Sequence, residues 1–147
     1  MTLGSNKDVV TKFVDAMSVR GWEGFDPLCN EDVEWRVPGV KALIPVSGTH
    51  RGLPAIKAFL SEAVLEFGER LEVRPGDGLK VQRIIAEGDT VVVEHEVKAI
   101  TKTGDEYHNY YCLSFDLVNG KISRIREYVD SLYAYDKGMF RKTPAPW

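Results

Sequence analysis

Asn119-Gly120 restricts the fold of this chain more than any other feature. The dipeptide lies between "EYHNYYCLSFDLV" and "KISRIREYVD", two runs patterned as strands. Asn-Gly in that setting signals a two-residue type I′ hairpin, whose turn residues both take positive φ. Once the turn is accepted, the pairing follows by counting outward. Val118 opposes Lys121, Leu117 opposes Ile122, Phe115 opposes Arg124, and Leu113 opposes Arg126. Tyr111 then opposes Tyr128, and Asn109 opposes Asp130. Opposed residues share a face. One face therefore carries Leu117, Phe115, Leu113, Tyr111, Asn109, Ile122, Tyr128 and Asp130. It is apolar near the turn and polar at the far end, as a ligand pocket is: an apolar wall with a few converging polar groups. Tyr110, Cys112, Ile125, Glu127 and Val129 fall on the other face, apolar enough to need covering.

Upstream, two long helices, with "WEGFDPLC" between them as a short helix or turn, precede a meander of strands. "SNKDVVTKFVDAMSVRG" has Val10, Phe13, Val14 and Met17 at helical spacing, Ser5 as cap with Asp8 three residues on, and Gly21 as its end. "DVEWRV" is a strand stopped by Pro38-Gly39. The Gly/Pro-rich stretch from Pro38 to Gly52 predicts an irregular loop, long enough for a functional rim, with His50 exposed. "GLPAIKAFLSEAVLEFG" is a helix with Pro54 in its first turn, an apolar side running to Ala63, Val64 and Phe67, and Gly68 at its end. Strands follow in "RLEVRP", "LKVQRIIAEG", "DTVVVEHEVKAIT" and the Asn-Gly hairpin, joined by short Gly-containing turns. The order predicts one α+β domain over residues 1–147, with an antiparallel sheet covered on one face by the early helices. A two-residue turn at Thr103-Gly104 puts Glu94 and Glu96 on the pocket side. A loop of other parity puts His95 there instead.

With 147 residues and a net charge of −3, the chain has no basic stripe for nucleic acid and no polybasic segment for a membrane surface. No apolar run reaches the ~18 residues of a transmembrane helix. "MTLGSNKDVV" lacks the pattern of a secretory signal, and Cys29 and Cys112 belong to no C-x-x-C pair. Reduced thiols and a cytoplasmic location are the expectation. His50, His95 and His108 are scattered, so no metal site is expected, and no Gly-rich phosphate loop suggests a cofactor.

Taken together, "EWRVPG", "PVSGTHRGLPAI", "GDTVVVE", "YHNYYCLSFDLVNGKI" and "IREYVD" resemble the nuclear-transport-factor-2-like superfamily. The similarity is closest to its SnoaL-like and ketosteroid-isomerase-related members. The resemblance implies a cystatin-like cone: a strongly curved, mostly antiparallel sheet, barrel-like, wrapped on three N-terminal helices around a deep pocket. It also implies a homodimer, and the apolar back of the sheet places that contact on the convex face. Asp130 sits where SnoaL-like cyclases and limonene-epoxide-hydrolase-like enzymes carry a catalytic Asp. Trp35 stands in the strand that supplies the Asp base of ketosteroid isomerases, and the neighbouring strand lacks the Arg of the epoxide hydrolases.

These readings converge on a protein for a hydrophobic small molecule, polyketide-, steroid- or terpenoid-like. Asp130 is the expected general acid/base, with His95 or Glu94 as second candidates. Trp35, Asn109, Tyr111, Tyr128, Leu113, Phe13 and Met17 are the expected substrate-binding residues. Isomerisation, cyclisation, dehydration and epoxide hydrolysis all need only such groups. The rival reading is a non-catalytic ligand-binding or dimeric association domain, in which Asp130 only caps the helix starting at Ser131.

Overall fold

Ser5 begins α1 (Asn6–Ser18) through the reciprocal contacts its sequence suggests. Its hydroxyl accepts the Asp8 backbone N–H at 3.2 Å, and the Asp8 carboxylate accepts the Ser5 N–H at 3.0 Å. These bonds satisfy two donors that a helix start otherwise leaves to water. Ser5→Ala is expected to cost about 1 kcal/mol, a drop of roughly 2–4 °C in Tm for a chain of this size. An unchanged thermal melt would show that the box adds nothing. The helix ends at Ser18, and Arg20 rather than Gly21 takes the left-handed conformation (φ 59°).

The computed structural model describes residues 4–139, and within them the backbone alone of residues 63–70. After α1 come a 3-10 helix (Trp22–Leu28), β1 (Cys29–Val37), β2 (Gly48–Arg51) and α2 (Leu53–Arg70). Gly68 lies inside α2 and does not end it, and the expected apolar side at Ala63, Val64 and Phe67 falls outside the described side chains. The rest is β3 (Leu71–Glu72), β4 (Gly78–Glu87), β5 (Thr90–Thr101), β6 (Glu106–Val118), β7 (Lys121–Val129) and α3 (Ser131–Asp136). The strands form one sheet in the order β2-β1-β7-β6-β5-β3, with β4 also on β5. All pairings are antiparallel except β1 with β7. The architecture is the expected α+β one, but the sheet stays open and does not close into a barrel.

Part of the stretch expected to be an irregular loop is the edge strand β2, where His50 pairs with Trp35. His50 is half-buried, not exposed: its Nε2 lies 2.7 Å from the Val46 carbonyl oxygen and its ring stacks on Phe59 at 4.1 Å.

One face of the sheet receives the helices. α1 packs on β4, β5 and β7, and α2 on β1, β2 and β3. The main core joins Val9, Val10, Phe13 and Val14 of α1 to Trp35, Val91, Val93, Leu113, Phe115, Ile122 and Ile125 of the strands. Phe13 stacks on Phe25 at 4.0 Å and meets Phe115 edge-on at 5.6 Å. A second cluster on the same face, Leu71, Ala99, Tyr107, Ala134 and Met139, is closed by α3 and the residues after it.

Candidate functional site

Two local choices of backbone decide which side chains reach the helix-facing side. The first lies in β7. Asn119 and Gly120 take φ values of 51° and 78°, as a type I′ turn requires, and Val118–Lys121 and Leu117–Ile122 pair as counted. The register then slips, and Asp116 pairs with Arg124, Phe115 with Ile125, Leu113 with Glu127 and Tyr111 with Val129. Ser123 is the extra residue of a β-bulge, which turns every later side chain of β7 to the opposite face. Ile122 and Ile125 are thereby both fully buried against the helices.

The second lies between β5 and β6. The turn is a three-residue loop closed by Thr101 N–H to the Asp105 carbonyl at 2.8 Å, with Gly104 at φ 90°. Its odd length pairs His95 with Tyr111 and Glu94 with Cys112. His95 thus faces the helices, and Glu94 and Glu96 face outward.

Several expected site residues move accordingly. Asp130 is exposed, and its carboxylate accepts the Tyr133 N–H at 2.9 Å as the N-cap of α3. Tyr128 lies on the outer face, 48% exposed, and accepts a hydrogen bond from Arg36 at 3.1 Å. Glu94, also outward, sits 3.7 Å from Arg83. Arg126 holds Asp116 through two bonds of 2.7 and 2.9 Å on that same outer face. Of the apolar residues expected to cover the back of the sheet, Ile125 and Val129 belong instead to the helix side, and Tyr110 remains outside. Phe13, Leu113 and Trp35 are core residues, and Met17 is half-buried against that core. Because Asn caps a helix as well as Asp does, Asp130→Asn is expected to change stability by less than about 0.5 kcal/mol. A larger loss in urea unfolding would mean that the charge itself is needed there.

The structure brings together a different set. Along the helix-facing side, the rows Val91–Phe115–Ile125 and Val93–Leu113–Glu127 lead to His95–Tyr111–Val129 and then Val97–Asn109. Glu127, His95, Tyr111 and Asn109 thus form a polar belt between the two apolar clusters. The His95 and Tyr111 rings stack in parallel, 4.9 Å apart. The Tyr111 hydroxyl lies 2.9 Å from that of Tyr107, which accepts a hydrogen bond from the Asn109 amide at 3.1 Å. The same amide donates to the Asp130 carbonyl at 3.0 Å and closes the strand end.

Electrostatics set this belt apart. Burial pushes the Glu127 carboxyl up to about 7. Among the described residues it has no hydrogen-bond or ion-pair partner to oppose that rise. Burial also pushes His95 down to about 4, so its ring is neutral at physiological pH, and raises Tyr111 well above its ordinary value. Glu127 and Tyr111 nevertheless keep some accessible surface. Cys29 is buried and pushed up to about 12, so its thiol is no nucleophile at neutral pH.

A profile of the SnoaL-like domain matches residues 10–125. The chain belongs to the SnoaL-like family. No curated protein matches its sequence. Among solved structures, it is similar to an NTF2-like protein from Burkholderia xenovorans LB400: 26% identity, TM-score 0.67, covering 90% of this chain and 95% of that one. It is also similar to TerC, co-crystallised with polyporic acid: 25% identity, TM-score 0.70, covering 86% and 92%. An LEH-like epoxide hydrolase from M. tuberculosis shares the fold at 20% identity and TM-score 0.64, covering 90% and 87%. This SnoaL-like chain has no helix among its described residues that is long and apolar enough to cross a membrane.

Glu127 was absent from the sequence-derived candidates, although a signal for it exists. In "KISRIREYV", Ile122 and Ile125 are three residues apart and cannot share a face of a regular strand. Burying both requires one extra residue between them, and that residue delivers Glu127 to the inside.

Proposed function

We propose that this SnoaL-like protein is an acid/base enzyme for a hydrophobic, oxygen-bearing small molecule, polyketide-, steroid- or terpenoid-like, which it isomerises, cyclises or hydrolyses. The observation that carries the reading is Glu127. Its carboxyl is poised near 7 on the helix-facing side of the sheet, where it both takes and returns a proton at neutral pH. Partial access within dense surroundings, shared by Glu127 and Tyr111, is what groups lining an internal recess show.

In this reading the ionised fraction of Glu127 removes a proton from a carbon beside a carbonyl, or from a hydroxyl. The electrons move onto the substrate oxygen, where a hydrogen bond from the Tyr111 hydroxyl stabilises the developing charge. Protonated Glu127 then returns the proton to another atom of the substrate. Neutral His95, across Tyr111, serves as a second proton acceptor or donor. TerC, co-crystallised with polyporic acid, supports a small-molecule ligand for this reading, and the LEH-like epoxide hydrolase shows that the fold hosts an enzyme.

Native mass spectrometry of the protein from its own host identifies a co-purified ligand, and turnover is then compared for the unmodified protein, Glu127→Gln and Asp130→Asn. Loss with Glu127→Gln and retention with Asp130→Asn is the expected result. Full turnover by Glu127→Gln would end the acid/base reading, and a bound ligand that is never converted would favour a binding domain.

A further inference from the structure

We infer that the indole N–H of Trp35 and the Nδ1 of His95 are ligand-binding groups, and that the ligand is an uncharged molecule with at least two oxygen functions, such as a hydroxy-ketone. This rests on the site proposed above and names its substrate chemistry.

Three buried side-chain polar atoms among the described residues lack a hydrogen-bond partner: Trp35 Nε1, His95 Nδ1 and Asp77 Oδ2. Asp77 Oδ2 lies 3.6 Å from Arg74 and so has its charge partner. The Glu96 backbone acts on the His95 ring without coming into hydrogen-bond geometry with Nδ1, and the Trp35 and His95 atoms both lie on the helix-facing side within two residue positions of the Glu127 row. Trp35 pairs with Ile125, two residues before Glu127 in the parallel strand. His95 pairs with Tyr111, the neighbour of Leu113, which itself opposes Glu127. Trp35 is 1% exposed and His95 4%. The two atoms flank the Glu127 row, Trp35 from β1 on one side and His95 from β5 on the other, and a buried polar atom left without a partner is costly, so proteins rarely keep one without a use for it. Phe59 meets the Trp35 ring edge-on at 5.3 Å and Phe13 tilts against it at 6.0 Å, so packing alone calls for an aromatic ring and not for its N–H.

Charge decides the rest. The cations of the strands lie on the outer face, several of them paired there: Arg126 with Asp116, Arg124 with Glu34, Lys98 with Glu96 and Arg83 with Glu94. Among the described residues of β1 and β4–β7, no Lys or Arg shares the face of Glu127. An anionic ligand would therefore meet a carboxyl, and no counter-charge from these strands, in a poorly solvated place. A cationic ligand would pair with Glu127 but offer the Trp35 N–H no acceptor. An uncharged oxygen accepts from Trp35, and a hydroxyl donates to or accepts from His95 Nδ1, whichever tautomer the ring holds.

The test is isothermal titration near neutral pH with probes sharing one ring. They are 6-hydroxy-2-acetylnaphthalene (uncharged), 6-hydroxy-2-naphthoate (anion), 6-hydroxy-2-(aminomethyl)naphthalene (cation) and naphthalene. The hydroxy-ketone is expected to bind at least about tenfold more tightly than the other three. Trp35→Phe is expected to weaken it about five- to tenfold through the lost N–H, alongside the lower Tm that a smaller ring brings to a buried site. Should Trp35→Phe not fold, the indole proton spectrum of the unmodified protein decides, since one resonance must shift on adding the hydroxy-ketone. Equal binding of the naphthoate, no binding of any probe at millimolar concentration, or no change from Trp35→Phe overturns the inference. Repeating the series in Glu127→Gln separates it from the catalytic reading: the order of probes is expected to persist in a variant that no longer moves protons.

Discussion

Glu127→Gln is expected to reduce turnover by roughly two to four orders of magnitude, the usual contribution of a general acid/base, and also to stabilise the fold above neutral pH. Both effects come from one cause. The Glu127 carboxyl sits at about 7 in the folded chain against an ordinary 4.5, and burial alone accounts for the rise. The folded state therefore binds the proton more tightly than the unfolded state. Stability from this group is fully present below its unfolded value and is lost as pH climbs through 7. One pH unit of difference corresponds to about 1.4 kcal/mol, so the loss approaches roughly 3 kcal/mol at alkaline pH. Gln is isosteric and uncharged and does not suffer it. Urea unfolding at pH 8.5 is expected to show the variant more stable by up to about 3 kcal/mol, with near equality at pH 4. An offset independent of pH would mean that the carboxylate is solvated or paired, and the proposed chemistry would lose its proton carrier.

His95 supplies the opposite slope. Its folded value, about 4, lies below the ordinary 6.5 because burial disfavours the charged ring. Its contribution is present above 6.5 and is lost as pH falls toward 4, again by roughly 3 kcal/mol. Between about 4.5 and 6.5 the two slopes nearly cancel in the unmodified protein. Each single variant is expected to uncover the other group. Glu127→Gln should lose stability as the solution is acidified through that window, and His95→Gln should lose it as pH is raised through the same window. His95→Gln also removes a ring stacked on Tyr111, which lowers stability at every pH, so the slope is the quantity to measure. Parallel pH profiles for the unmodified protein and both variants would show that neither group is held away from water.

Local chemistry made much of this protein legible before any coordinates. Ser5 and Asp8 announce the start of α1, Asn119-Gly120 announces the last hairpin, and the change from helical to alternating spacing announces a sheet behind two helices. Together with the order of the quoted motifs, that was enough for the SnoaL-like family. His95 was legible only as one of two alternatives, because a single residue in the loop after Thr101 exchanges it with Glu94.

The site was harder to read, because facing within a strand depends on every residue between the turn and the side chain in question. Counting from Asn119-Gly120 is correct for two pairs and fails at Ser123. Beyond it, Tyr128 and Arg126 exchange faces with Glu127 and Ile125, and Asp130 ends as an exposed cap. The turn could be decided from its own two residues, since positive φ is a local preference. The bulge could not. Its stabilisation comes from burying Ile122 and Ile125 together against the aromatic core and against α1, which lies more than a hundred positions away in the chain. Sequence alone therefore determined the elements and the family, whereas tertiary packing chose Glu127 over Asp130 as the carboxyl on the inside.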